Sequence, residues 1–259
     1  MCPQANAEVY LSVVAPAHNE APNLPALVSE VAESLSALDR PWELLIVNDA
    51  STDETPAVLR RLLGKWPVLR ILSLRRRSGQ TAALEAGLRA ARGRIIATLD
   101  ADLQNDPHEF PKLLPLLADG RCDFVNGWRK DRRDPWLRRI STRIANGVRN
   151  GLTGEQIHDS ACGLRVFRRE VAERLVLFNG LHRFLPTLAR MKGFRVVEVP
   201  VNHRPRVAGQ AKYGVWNRVF KALRDCFAIR WMQKRVLNYE VEEWERDDVN
   251  AVAGLGHKT

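Results

Sequence analysis

Little in this sequence speaks for a zinc module, a disulfide scaffold or a membrane span. Its four cysteines, Cys2, Cys122, Cys162 and Cys226, form no CxxC unit and no Cys/His cluster at zinc spacing. They read as free thiols in a reducing compartment. No stretch free of Asp, Glu, Lys and Arg reaches the ~18 residues that a spanning helix requires. The first residues lack a basic segment leading into an apolar run, so no secretory signal is expected. Internal repeats and low-complexity tracts are missing too. The basic stretches lack RNP-like aromatic interleaving and a helix-turn-helix pattern, so nucleic acid is not an expected partner. These absences point to a cytoplasmic protein, soluble or peripheral on the inner face of the cytoplasmic membrane.

What is present is a chain of 259 residues, 45% hydrophobic and 27% charged, enough for one sizeable core. The net charge of +10 suits an anionic membrane face or phosphorylated substrates. It is unevenly spread. Arg204–Arg235 holds nine Lys/Arg against Asp225 alone, whereas Glu240–Asp248 holds six acids against Arg246 alone. Such asymmetry describes a directed surface.

Val9–Ala15, Trp42–Val47, Val68–Leu74 and Arg94–Leu99 read as strands buried on both faces. Helical patterns separate them. Ala21–Leu38 carries Leu24, Leu27, Val28, Val31 and Leu35 at helical spacing. Ser51 and Glu54 form an S-x-x-E capping box that opens a helix running to about Lys65, and Gln80–Arg92 reads as a third helix. Asp106, Pro107 and Glu109 mark a further helix start. The expected fold class is therefore α/β, with a mostly parallel sheet and helices on both faces. The second half is less regular. Cys122–Asn126 reads as a strand, Phe194–Val201 as a sheet-edge strand and His203–Tyr213 as a loop. From Val215 to Arg235 an amphipathic helix carries Trp216, Val219, Phe220, Leu223, Cys226, Phe227 and Trp231 on one face.

In such folds ligands sit at the carboxyl ends of the strands. The polar residues of this chain fall there: Pro16–Glu20 after the first strand, Asn48-Asp49 after the second, Asp100-Ala101-Asp102 after the fourth. Asp49 and Asp100 could each cap a helix, but capping does not readily account for acids at three strand ends. Two Asp separated by one residue can turn toward one hard cation. Mg²⁺ or Mn²⁺ there would neutralise a diphosphate leaving group.

The segments PAHNE (16–20), VNDASTDET (47–55), SGQTAALEAG (78–87), DADLQNDP (100–107), NGWR (126–129), GLRVFRRE (163–170) and HRPRVAGQAKY (203–213) resemble the family 2 glycosyltransferases. Within these, the chain is most similar to polyprenyl-phosphate glycosyltransferases of the dolichyl-phosphate mannose synthase type, over roughly residues 9–235. The resemblance implies a Rossmann-like GT-A fold, an inverting mechanism, a nucleotide-sugar donor (UDP- or GDP-linked) and a polyprenyl phosphate acceptor. It implies that Pro16, His18 and Glu20 meet the nucleoside, and that Val47 and Asp49 frame the base and ribose. Asp100, Ala101 and Asp102 would hold the diphosphate and metal with Gln104, Asp102 being the more direct ligand. Arg129 would face the phosphates, and Arg206 and Lys212 would close over the donor. For the acceptor phosphate it implies Arg138, with Arg139 as an alternative register, beside Ile140-Ser141. Asp159 would lie near the sugar; its residue context equally allows it to orient Arg165 or cap a turn. Asp102, Arg129 and Asp159 are the residues expected to carry catalysis. His18 and Arg77 depart from the Tyr and Asn frequent in related sequences, which leaves base and sugar open.

A phosphate acceptor is already anionic near neutral pH and needs cations more than a general base. The alternative is a hydroxyl acceptor on a glycan or lipid, with Asp159 as base. The C-terminal helix has the composition of an interfacial helix on an anionic membrane, or of one packed on the domain with a charged exterior. The expected division is a catalytic domain over 1–213, amphipathic helices over 214–247 and a tail over 248–259, with membrane contact direct or through a separate membrane protein.

Overall fold

A computed structural model describes residues 8–129, 147, 150–152, 154, 157–205 and 215–237. The first half alternates strictly: β1 (Leu11–Ala17), α1 (Leu24–Ser34), β2 (Trp42–Asn48), α2 (Thr55–Leu63), β3 (Leu69–Ser73), α3 (Gln80–Ala90) and β4 (Ile95–Thr98). A 3-10 turn (Pro107–Glu109) leads into α4 (Phe110–Ala118), then β5 (Phe124–Trp128). After residues 157–164 come β6 (Arg165–Arg168), α5 (Arg169–Arg174), a 3-10 turn (Leu181–Phe184), α6 (Leu185–Met191), β7 (Val196–Pro200) and α7 (Val215–Gln233).

The seven strands lie in the order β3-β2-β1-β4-β6-β5-β7. β6 runs antiparallel to β4 and β5, and every other pairing is parallel. The parallel strands therefore all end at one edge, and β6 begins there. The chain steps outward from β1 to β3 and returns across to β4, so the sheet reverses between β1 and β4. That is the place where an open α/β sheet leaves a crevice.

Successive strand residues serve opposite faces. Val13, Leu44 and Ala97 join one core with α1, α2 and α4. Val14, Leu45 and Ile96 join the other with α3, α5, α6 and α7. This is why the strands read apolar on both faces, and the expected α/β class with a mostly parallel sheet is what forms.

Two local expectations are corrected. No capping box forms at Ser51: its hydroxyl accepts from the Asn19 amide, and Asp53 Oδ1 accepts from the Thr55 amide 3.0 Å away, so α2 starts later. A competing long-range partner took the capping hydroxyl. On α7 the single apolar stripe splits. Cys226 and Ile229 are buried against the second core, while Phe227 and Trp231 are 60% and 58% exposed. Positions 227 and 231 share a face that turns away from the packed one. The side chains of Trp216, Val219 and Phe220 lie outside the described residues. Among the described residues, no helix is long and apolar enough to cross a membrane.

At the sheet's amino-terminal edge Glu43 is buried. Its carboxylate accepts from Ser12 Oγ (2.6 Å), the Arg92 amide (2.8 Å) and Arg70 Nη1 (2.6 Å). This one side chain ties β1, β2, β3 and the exit of α3 together. Glu43→Ala leaves those donors unpaired and is expected to cost about 2–4 kcal/mol. Urea unfolding checks it: the midpoint should fall with little change in slope.

Candidate functional site

Among the described residues, three non-glycine positions adopt positive φ: Asn19 (57°), Ala50 (48°) and Leu103 (60°). Each follows a parallel strand, β1, β2 or β4, at the edge where the sheet reverses. Left-handed backbone costs energy in residues with a Cβ, and such strain gathers at functional sites. Here it turns each chain sharply off its strand and leaves an open cleft of about 1070 Å³.

On the β2 side, Asp49 is buried and both its oxygens are used. Oδ1 accepts from the Ser78 amide (2.6 Å) and Oδ2 from the Gly79 amide (2.8 Å). The Asp49 carbonyl bonds His18 Nδ1 at 2.8 Å. Asp49 thus fixes the entry to α3, whose first residue, Gln80, donates Nε2 to Asp100 Oδ1 at 2.9 Å. Asp100 is held on its other flank by close packing. A Cβ built on Gly163 would lie 2.4 Å from Asp100 Oδ2 and 2.7 Å from Asn105 Oδ1. Burial, and then the charge of Asp102, push Asp100 up to about 6, against the pull of Arg165, Arg129 and Gln80. Asp102 Oδ1 accepts from the Gln104 amide at 3.2 Å, which closes the loop after β4.

The opposite wall comes from β5 and the segment before β6. Arg129 follows Trp128 and grips Asp159 through Nε (2.6 Å) and Nη2 (2.8 Å). Burial alone would lower the Arg129 pKa, but the two hydrogen bonds and the charge of Asp159 outweigh it and keep the guanidinium protonated. Asp159 is placed in turn by Glu198 of β7, which accepts from the Asp159 amide, and by Asn126, which donates to the Asp159 carbonyl. His158 stacks on Trp128 and bonds Glu198 Oε2 at 2.9 Å. Arg165 is buried, which pulls its pKa down, and donates to Asn126 Oδ1 and the Ser160 carbonyl. Asn126 thus serves both Arg165 and the Asp159 backbone, and the partner of the Asp159 carboxylate is Arg129, not Arg165.

Below the cleft, Asp106 organises the loop. It caps the 3-10 turn through the His108 amide, and it accepts from Asn202 (3.0 Å) and Arg204 (2.7 Å). Burial would raise its pKa, but bonds from Asn202 and His108 and the charge of Arg204 hold it below the usual carboxylate value. The chain at 202–204 is thereby pinned beside Asn105, where a bridge forms to His203.

Of the residues read from sequence, Pro16, His18, Glu20, Asp49, Asp100, Ala101, Asp102, Gln104 and Arg129 line this cleft. Asp159 stands behind Arg129. Val47 does not line it; it is fully buried in the core that α3 covers. Arg138, Arg139, Ser141, Arg206 and Lys212 lie outside the described residues. Sequence reasoning gave no role to Gln80, Asn126, Glu198 or Arg183. Gln80 and Asn126 stood inside quoted motifs, but Glu198 read only as one residue of an alternating edge strand.

Asp100 is half-buried beside a like charge, so the ionised form costs stability. The penalty grows as pH rises from the unfolded value of 3.8 and is complete above about 6. Asp100→Asn removes it. In metal-free buffer at pH 7.5 the variant should be more stable by about 1–2 kcal/mol, discounted for partial exposure. Thermal melts from pH 7.5 to 5 check this: the gap should narrow below about 6.

The glycosyl transferase family 2 model matches residues 12–176. The chain is 37% identical over 228 residues to a dodecaprenyl-phosphate galacturonate synthase of Rhizobium johnstonii, covering 86% of this chain and 67% of that protein. It is 35% identical over 208 residues to an undecaprenyl-phosphate 4-deoxy-4-formamido-L-arabinose transferase of Edwardsiella ictaluri, covering 80% and 63%. The chain thus spans about two thirds of the length of these curated relatives. Among solved structures, a mannosyltransferase of Pyrobaculum calidifontis in complex with GDP-Man and Mn²⁺ superposes with a TM-score of 0.63 at 24% identity, covering 98% of this chain and 72% of that one. That likeness establishes the shared GT-A fold. The match over most of the chain and the curated relatives agree with the strand-end motifs, and the chain belongs to glycosyl transferase family 2.

Proposed function

We propose that this chain transfers a sugar, with inversion, from a UDP- or GDP-sugar to a polyprenyl phosphate at the inner surface of the cytoplasmic membrane. The observation that carries this reading is the Asp100–Asp102 pair at the reversal of the sheet, facing Arg129 across the cleft. A like-charged pair of hard oxygen donors suits a divalent cation whose remaining ligands come from phosphate and water. Asp102 and Asp100 would hold Mg²⁺ or Mn²⁺, with Gln104 beside them. Such an ion, once bound, would neutralise the leaving diphosphate as a Lewis acid.

The protein's own residues do the rest. The β1 and β2 ends, with His18, Glu20 and Asp49, receive the nucleoside. Arg129 offers positive charge to the phosphates from a guanidinium that Asp159 holds still. The acceptor phosphate oxygen attacks the anomeric carbon opposite the departing nucleoside diphosphate, so the C–O bond forms as the other breaks. No proton need be removed, because the nucleophile is already an anion. The hydroxyl-acceptor reading needs Asp159 as a base, and both oxygens of that carboxylate are engaged by Arg129. That geometry favours the phosphate acceptor. The names of the two curated relatives, each a transferase acting on a polyprenyl phosphate, support the same acceptor class.

The outer face of α7 supports a membrane surface as partner. Phe227, Trp231 and, beyond the helix, Leu237 are exposed, with Arg224, Arg230 and Arg235 alongside. Aromatic and aliphatic groups ringed by arginine suit the headgroup boundary of an anionic bilayer.

With Mn²⁺, a panel of UDP- and GDP-sugars and undecaprenyl phosphate, the protein should form an acid-labile lipid-linked sugar. Glycosylation of hydroxyl acceptors alone would refute the proposal. Asp102→Ala should lower metal-dependent turnover at least a hundredfold, a loss of about 3 kcal/mol of transition-state stabilisation. Gly163→Ala should also cripple turnover, since its new methyl must displace Asp100 or Asn105. Titrating nucleoside diphosphate binding with and without Mn²⁺ separates the two variants: Asp102→Ala should lose the Mn²⁺ dependence outright, Gly163→Ala only in part.

A further inference from the structure

Arg183 lines the cleft and is half-buried, and its side chain makes no hydrogen bond or ion pair among the described residues. The other partly or fully buried arginines of the cleft are matched within the chain: Arg129 by Asp159, Arg165 by Asn126 and the Ser160 carbonyl. A half-buried cation with no partner among the described residues is arranged for an anion from outside.

Its carrier is stiff. Leu181 and Phe184, on either side of the His182–Arg183 pair, are buried in the second core. His182 Nδ1 bonds Thr81 Oγ1 at 2.7 Å, and the same hydroxyl accepts from the Gly180 amide at 2.9 Å. Gly180 has φ of 97°, and a Cβ there would lie 2.8 Å from Asp225 Oδ2, so α7 is seated directly on this turn. Thr81 adjoins Gln80, which bonds Asp100. Arg183 is therefore tied, through His182, Thr81 and Gln80, to the wall of the cleft that holds Asp100. A fork of guanidinium donors reads carboxylate or phosphate oxygens in a plane.

We propose that Arg183 is a specificity-determining residue that binds an oxyanion of the substrates other than the donor diphosphate. Two groups present that chemistry: a carboxylate on the transferred sugar, and the phosphate of the acceptor. The inference rests on the transfer reaction proposed above and adds to it a second anion-binding point.

The test compares wild type, Arg183→Gln and Arg183→Lys. Calorimetry with Mn²⁺ measures binding of UDP, GDP, their hexose conjugates and the matching uronates, and steady-state assays vary undecaprenyl phosphate. If the sugar carboxylate is read, wild type prefers a uronate donor. Arg183→Gln then loses that preference by roughly tenfold to a hundredfold, while affinity for the bare nucleotide is unchanged. If the acceptor phosphate is read, donor binding is unaltered and the acceptor KM rises by a similar factor. In either case Arg183→Lys recovers part of the loss. Equal weakening of bare nucleotide and nucleotide-sugar overturns the proposal, as does no change in either arm with melting temperatures unaltered. Wild type that binds donors but leaves undecaprenyl phosphate unglycosylated refutes the acceptor assignment of the transfer reaction. The donor arm then decides on Arg183 alone, and no uronate preference there also sinks it.

Discussion

Asp100 stands where the two halves of the sheet meet, and its carboxylate is gripped from both. Gln80, at the head of α3, belongs to the regularly alternating first half. Gly163 belongs to the segment that leads into the antiparallel strand β6, and it leaves no room for a side chain between itself and Asp100. Burial, and then the charge of Asp102, make the position uncomfortable for an anion and push the Asp100 carboxyl up to about 6. The rest of the cleft can be understood as the scaffolding that keeps this carboxylate in place. Asp49 fixes the loop that delivers Gln80, and the Asn126–Arg165–Ser160 bonds fix the segment that delivers Gly163.

This arrangement trades stability for readiness to bind charge. A protein tuned for stability alone would place an amide where Asp100 is. Keeping two carboxylates together, with arginines beyond them, builds a field that changes sign across the cleft. A cation and a diphosphate fit that alternation. The Arg129–Asp159 pair contributes a fixed guanidinium: its direction is set by two hydrogen bonds and by Glu198 behind Asp159, not by the incoming substrate. Preorganised charge of this sort acts at full strength because nothing has to rearrange during the reaction.

The antiparallel strand β6 explains how distant segments reach the same edge. A parallel strand presents only its carboxyl end to the cleft. β6 begins at the cleft, so Arg165 and the residues before it enter from the other direction. β7 then brings Glu198 alongside β5 and carries the chain on to Asn202 and Arg204, which close on Asp106. The C-terminal helix packs on the opposite side of the sheet from α1. It still touches the cleft wall, because Asp225 is seated against Gly180.

The doubly apolar strands, the helical periodicity between them and the placing of acids after β1, β2 and β4 are local patterns, and each was legible in the chain itself. So was the Asp106 cap. Motif resemblance added the family and residues that line the cleft. Partnerships between residues far apart in the chain could not be read the same way. Ser51 offered a capping box and instead met Asn19; Asp159 was open to several roles until Arg129 was seen across from it; the α7 stripe divided once one side of it packed; Glu198 and Arg183 carried no signal at all. Hydrophobic period and strand-end chemistry are properties of short windows, so sequence alone determines them. Which polar group satisfies which is decided only when strands from both halves lie side by side, because a buried donor takes the nearest acceptor that the folded chain supplies.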